Sequence, residues 1–199
     1  MNRLLIEIKA RCPAPLSKGV LSDSIQAILK AHNARFIGLD HQIDTYFRVP
    51  NGRLKLREGN IENALIHYNR ANQSGPKQSD VTLLKSPNEV ATLKKILTDS
   101  VGILAVVDKK REIYFIENVK FHLDKVVGLG NFVEIEAINS ENVDNTEGVL
   151  SPEVLHAQCR FYMGLFDIQE SDLLTNSYSD MVMGLEETLH HDTDFDFDL

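Results

Sequence analysis

The chain has 199 residues and a net charge of −8. Its 43% hydrophobic and 25% charged residues give the balance of one globular domain and exclude disorder along its whole length. The longest apolar run, 101–107, is far short of the roughly 20 residues that cross a bilayer, so no membrane partner is expected.

The first residues become charged before a signal-type apolar stretch develops, so no secretory signal is expected. Two cysteines, Cys12 and Cys159, are too few for a disulfide framework or a cysteine-based zinc site, and a reducing cytoplasm is the expected location. The net charge hides a division. Residues 1–139 hold 20 Lys and Arg against 15 Asp and Glu, a net of +5. Residues 140–199 hold Arg160 against 14 acids, a net of −13.

Period-two alternation predicts strands over 3–12, 42–49, 53–58, 63–71, 79–85, 103–117, 119–126 and 131–139. Turn signals such as Pro50-Asn51-Gly52 and Gly128-Leu129-Gly130 separate them. Helical spacing predicts a helix over about 20–33, with Ile25, Ile28 and Leu29 on one face. Ser86-Pro87-Asn88-Glu89 reads as the capped start of a second helix, and Ser151-Pro152-Glu153 as the start of a third. Shorter helical pieces are expected at 170–175 and 177–185. One domain is expected over 1–180, followed by an unstructured acidic tail over 181–199.

The polar faces of the strands carry the chemistry. The first offers Glu7, Lys9 and Arg11, the third Arg53, Lys55 and Arg57, and the sixth Lys109 and Arg111. The seventh offers Lys120, His122 and Asp124, and the eighth Glu134 and Glu136. One such face suits a solvated sheet, but five that are nearly pure charge suit a sheet closed into a barrel. Its charged faces would point inward and its apolar faces outward, under helices. Such a lumen favours a polyanion, because arginine's fork matches phosphate oxygens. Four carboxylates beside a polyanion call for a hard divalent cation, Mg²⁺ or Mn²⁺. No glycine-rich phosphate loop is present.

In their order and spacing, Glu7-Ile8-Lys9-Ala10-Arg11, Asp44-Thr45-Tyr46-Phe47, Arg53-Leu54-Lys55-Leu56-Arg57, Lys109-Lys110-Arg111 and His122-Leu123-Asp124 resemble the CYTH family, the triphosphate tunnel metalloenzymes. Gly130-Asn131-Phe132-Val133-Glu134-Ile135-Glu136, Asp172-Leu173-Leu174 and Ser177-Tyr178-Ser179-Asp180 extend the resemblance, which leans to the class IV adenylate cyclase-like branch. It implies a mainly β (α+β) fold, an eight-stranded antiparallel tunnel-like barrel flanked by helices. It also implies Glu7, Glu134 and Glu136 as metal ligands, and Asp124 as a further ligand or a base. Lys9, Lys55, Arg57, Lys109 and Arg111 would hold the triphosphate, with Arg53 and Lys120 as further lumen members. Asp124 and Lys9 are the candidates for the chemical step. A homodimer is implied too.

Two departures stand out. The family opens on Glu-x-Glu-x-Lys, but here Leu5 replaces the first glutamate. The fourth strand lacks the family's usual lysine, for which Arg70 or Lys77 could substitute. The expected function is metal-dependent hydrolysis of an inorganic, nucleoside or thiamine triphosphate. Cyclisation of ATP and binding without turnover are the alternatives. A nucleic-acid-binding sheet is disfavoured, because such sheets expose aromatics for stacking and the charged faces carry none. His122 could touch phosphate, orient Asp124 or serve only as a structural hydrogen-bonding group.

Overall fold

A computed structural model describes residues 2–12, 21–70, 76–85, 87–139 and 150–193. Eight strands form one antiparallel sheet that closes on itself. They are β1 (Asn2–Arg11), β2 (Arg35–Phe47), β3 (Arg53–Gly59), β4 (Ala64–Arg70), β5 (Lys77–Lys85), β6 (Ile103–Ile116), β7 (Val119–Val126) and β8 (Gly130–Asn139). The order around the barrel is β1-β5-β4-β3-β2-β6-β7-β8, and β8 pairs back onto β1.

The barrel is apolar on the outside where the helices cover it. Ile6, Ile8 and Ala10 of β1, Val119, Phe121 and Leu123 of β7, and Val133, Ile135 and Ala137 of β8 form one buried cluster. Helices α1 (Leu21–Ala31) and α3 (Pro152–Leu165) close over it through Ile25, Leu29, Leu155 and Cys159. Each such fully buried aliphatic side chain contributes roughly 1.5–3 kcal/mol. Phe121 packs edge-on against Tyr162 and Phe166, with ring centroids 4.8 and 5.6 Å away. Burying the apolar face of each of these strands outside, even-numbered on β1 and odd-numbered on β7 and β8, sends the alternate, charged face inward. Lys110 and Lys125, out of phase with the charged faces, are exposed.

Three elements differ from their sequence-based expectations. Strand β2 begins at Arg35, seven residues before the expected start, and pairs with β6 along its whole length. A register shift between Phe36 and Gly38 breaks the alternation that would have announced it. Helix α2 (Val90–Val101) starts after the expected capping sequence. Glu89 takes a left-handed φ of 50°, and its carbonyl accepts the Leu93 N–H at 3.0 Å, so Pro87 stays outside the helix. Ser86 lies outside the described residues.

The third difference is helix α4 (Tyr178–Thr193), which extends into the segment expected to be tail. Met181 and Val182 explain this, since they pack on the buried cluster of Tyr46, Val107, Val126, Leu129, Phe132 and Tyr178. Residues 194–199 lie outside the described residues. No helix among the described residues is long and apolar enough to cross a membrane.

Candidate functional site

The lumen is a cavity of about 860 Å³. Lys9, Lys55, Arg57, Lys109, Arg111 and Lys120 line it, together with Glu7, Glu134 and Glu136, all expected from the sequence. Strand register builds the arrangement. Lys9, Glu134 and His122 stand side by side across β1, β8 and β7, and Glu7, Glu136 and Lys120 form the next row.

Two ion networks organise the cations. In the first, Arg57 donates to both Asp44 oxygens at 2.8 and 2.9 Å. Lys55 and Lys109 reach the same carboxylate at 3.1 and 2.6 Å. Burial favours the neutral acid at Asp44, but Arg57, Lys109 and Lys55 overcome it and hold the carboxyl well below its usual range. Three cations thus share one anion, and the surplus of positive charge faces the cavity. Arg57 also meets Glu62 at 3.1 Å, and Lys120 pairs with the same carboxylate.

In the second network, Arg111 donates to Asp124 at 2.6 and 2.5 Å and to Glu134 at 2.6 Å. Lys9 reaches the other Glu134 oxygen at 2.9 Å and sits 3.7 Å above the Tyr178 ring. The Tyr178 hydroxyl donates to Asp124 at 2.8 Å. Burial pushes the Asp124 and Glu134 carboxyls up, but Arg111 beside both outweighs it, and both settle below their ordinary values. Tyr178 arrives there because the Leu174 N–H donates to the Lys9 carbonyl at 2.9 Å, tying the chain before α4 to β1.

His122 is buried, and Nδ1 faces Glu134 at 3.0 Å and Glu136 at 3.5 Å. Burial, reinforced by Arg111, pushes its pKa down, which favours the neutral ring. The carboxylates place the single ring proton on Nδ1, leaving Nε2 with a lone pair and no hydrogen-bond partner. His122, Glu134 and Glu136 bring ligand atoms within 4.8 Å of one another. The nitrogen beside the two carboxylates is Nδ1, so a divalent cation held with them would take the place of its proton, which the neutral ring favoured by burial permits. Neither Glu7 nor Asp124 belongs to this group, and Asp124 is engaged by Arg111 and Tyr178.

Other expected residues lie apart. Arg53 pairs with Asp180 of α4 at 3.0 Å and does not line the cavity. Arg11 donates to the Leu129 carbonyl at 2.9 Å at the barrel's edge. The side chains of Arg70 and Lys77 lie outside the described residues.

The family model for the CYTH domain matches residues 6–150, most of the chain. The chain belongs to the CYTH family. Solved structures share the fold of this CYTH chain. The PH1012 protein of Pyrococcus horikoshii OT3 superposes with a TM-score of 0.71 at 21% identity, covering 89% of this chain and 99% of its own. A conserved hypothetical protein of Pyrococcus furiosus gives 0.68 at 21% identity, over 88% and 98%. A Vibrio parahaemolyticus protein provisionally named an adenylate cyclase gives 0.67 at 17% identity, over 91% and 98%. No curated protein sequence matches the chain.

Several residues of the CYTH site had no role in the sequence reading. Asp44 lay within a motif that carries the family resemblance but was given no role, although its alternation with Gln42 and Asp40 on one face of β2 was a signal for the lumen. Glu62 sits in the β3–β4 loop, where no periodicity exists. Asp40 places it, accepting the Ile61 and Glu62 N–H groups at 2.8 and 3.0 Å. Gly59 makes room, since a Cβ there would lie 2.8 Å from the Asp40 carboxylate and 2.7 Å from the Glu62 carbonyl oxygen. Aromatics also reach the lumen, contrary to the impression from the charged faces. Tyr46, Tyr68, Phe115 and Tyr178 line it.

Proposed function

We propose that this CYTH chain is a divalent-metal-dependent phosphohydrolase acting on triphosphates. The observation that carries this reading is the convergence of six cations and an imidazole–carboxylate cluster in one cavity. Lys55, Arg57 and Lys109 hold one end of the polyphosphate, and Lys9, Arg111 and Lys120 the other. Asp44, Asp124 and Glu62 position these cations in advance, so little reorganisation accompanies binding. Arg111 uses Nε and Nη2 on carboxylates, and Nη1 is the donor we assign to a phosphate oxygen.

Glu134, Glu136 and His122 would hold Mg²⁺ or Mn²⁺, with Glu7 one strand away. The imidazole tips the preference toward Mn²⁺. The bound ion supplies Lewis-acid polarisation of phosphate oxygens and acidifies a water. Asp124, paired with Arg111 and Tyr178, acts as a positioning residue, and Lys9 stabilises charge on the phosphoryl group undergoing transfer.

The test is a product-resolved assay with Mg²⁺ or Mn²⁺ on tripolyphosphate, ATP, GTP and thiamine triphosphate. Release of orthophosphate is expected. Cyclic AMP with pyrophosphate would replace hydrolysis by cyclisation, and tight binding without product would leave a binding module.

A proton-linkage measurement follows from Lys109. Burial, opposed by Asp44 and assisted by Arg57, Arg111 and Lys55, pushes its pKa down to about 7. An arriving polyanion favours the charged ammonium, so binding of tripolyphosphate at a pH near 8 takes up as much as about one proton. Calorimetry in two buffers of different ionisation enthalpy reads this number. Lys109→Met abolishes the uptake, and a buffer-independent heat in the unaltered protein would contradict it.

A further inference from the structure

The lumen is not charged all round. Ala64, Ile66 and Tyr68 of β4 pack together with Val81 and Leu83 of β5, on the inner face of the barrel. Toward one mouth Leu5, Ile61, Ile66, Leu83, Phe115 and Ile138 form an apolar collar, interrupted by Asn63, Ser79 and Lys85. Register fixes its distance from the charged site. Leu5 stands beside Ile138, and two residues along the same strands Glu7 stands beside Glu136. Two residues of extended chain span roughly 7 Å. The collar therefore begins about where a group esterified to the end of a bound polyphosphate would emerge.

The position where the family motif reads glutamate but this chain has Leu5 is a member of the collar. A carboxylate there would face Ser79 on one side and Ile138 on the other. Leucine instead extends the apolar surface of Ile138 on β8 onto β1, with the small Ser79 of β5 on its other side. Ile61 is 41% exposed at the mouth, Leu5, Leu83, Phe115 and Ile138 are half-buried and Ile66 is buried, so the collar offers a part-open apolar lining next to the charged site. The collar side chains are aliphatic apart from Phe115, so its chemistry suits a group with few hydrogen-bonding atoms.

Resting on the reading of the tunnel as a triphosphate site, we propose that the ligand is a polyphosphate monoester of an aliphatic alcohol. Its anionic head occupies the cations and its hydrocarbon chain occupies the collar. The two halves of one cavity then match the two halves of one amphiphile. Leu5 is the specificity-determining residue that separates this tunnel from one that takes bare tripolyphosphate.

The experiment is competition binding of four probes to the full chain with Mn²⁺: tripolyphosphate, methyl triphosphate, octyl triphosphate and ATP. Methyl and octyl triphosphate carry the same head charge, so their ratio isolates the chain. Each fully buried methylene tightens binding roughly fourfold, and even partial burial makes octyl triphosphate more than about tenfold tighter than the methyl ester. Leu5→Glu collapses that ratio toward one. Leu83→Gln, a milder change on a neighbouring strand, lowers the ratio as well and guards against a Leu5→Glu protein that fails to fold. Equal affinity of the two esters overturns the proposal while leaving the triphosphate site standing. ATP tighter than octyl triphosphate overturns it in favour of a nucleoside. Binding of none of the four overturns the triphosphate site and this inference together.

Discussion

Asp44→Asn lowers the melting temperature of the ligand-free protein by roughly 10 °C. Asp44 is 1% exposed and is the shared anion of Lys55, Arg57 and Lys109. Asparagine keeps the shape but removes the charge, and three cations then face one another across a buried space. Removing one partner from a buried ion network costs about 3–5 kcal/mol. For a domain of this size each kcal/mol moves the midpoint by roughly 2–4 °C. Because the carboxyl is held well below its usual range, its stabilising contribution is complete above its unfolded-state value and is lost as pH falls through the lower folded-state value. Titration of Asp44 itself therefore leaves the deficit unchanged above about pH 5 and shrinks it only in strong acid, whereas loss of the Lys109 proton above about 7 reduces the repulsion and with it the deficit.

The same variant separates a structural anion from a functional one. An added polyanion supplies the missing negative charge, so tripolyphosphate raises the melting temperature of Asp44→Asn more than that of the unaltered protein. Calorimetric scans with and without tripolyphosphate read both effects. A variant that melts within about 2 °C of the unaltered protein would show that Asp44 does not hold the cation cluster.

The sequence made the inverted barrel legible because alternation was regular on the strands that carry it. Ile6, Ile8 and Ala10 against Glu7 and Lys9 fix which face turns outward, and Phe121, Leu123, Ile135 and Ala137 repeat the message on β7 and β8. Lys9, Lys55, Arg57, Lys109, Arg111, Glu134 and Glu136 meet in space because they share that phase. The partners that organise them were harder to see. Glu62 gains its place from Asp40, 22 residues earlier, through backbone bonds that leave no pattern in the chain. Tyr178 enters the site by a tie between Leu174 and Lys9, also invisible to periodicity. The apolar wall escaped notice for a different reason. An aliphatic residue on an inner face looks the same in sequence as one on an outer face, so Ile66 and Leu83 carried no signal, and Leu5 stood out only as the residue in place of the family's first glutamate. Asp124 illustrates the converse: its phase puts it at the site, but the fork of Arg111 occupies both of its oxygens.

Glu136→Gln lowers metal-dependent turnover at least about 100-fold, equivalent to roughly 2.7 kcal/mol of transition-state stabilisation, with the fold intact. The choice between Glu134 and Glu136 follows from their partners. Glu134 holds Lys9, Arg111 and His122 together, so its amide variant disturbs two cations as well as any bound ion. Glu136 touches His122 at 3.5 Å, retains 17% exposure of its side chain, and has neither Lys9 nor Arg111 as an ion-pair partner. Its loss therefore acts on the ligand set and little else. A melting temperature within about 2 °C of the unaltered protein establishes that the fold is kept. Calorimetric titration with Mn²⁺ weakens in parallel with turnover, because one of the three donor groups is gone. The double variant Glu134→Gln with Glu136→Gln loses measurable Mn²⁺ binding and melts lower than either single variant, since Lys9 and Arg111 also lose the Glu134 charge. Unchanged Mn²⁺ affinity and turnover in a stably folded Glu136→Gln protein would remove the β7–β8 cluster as the metal site and move the search to Glu7.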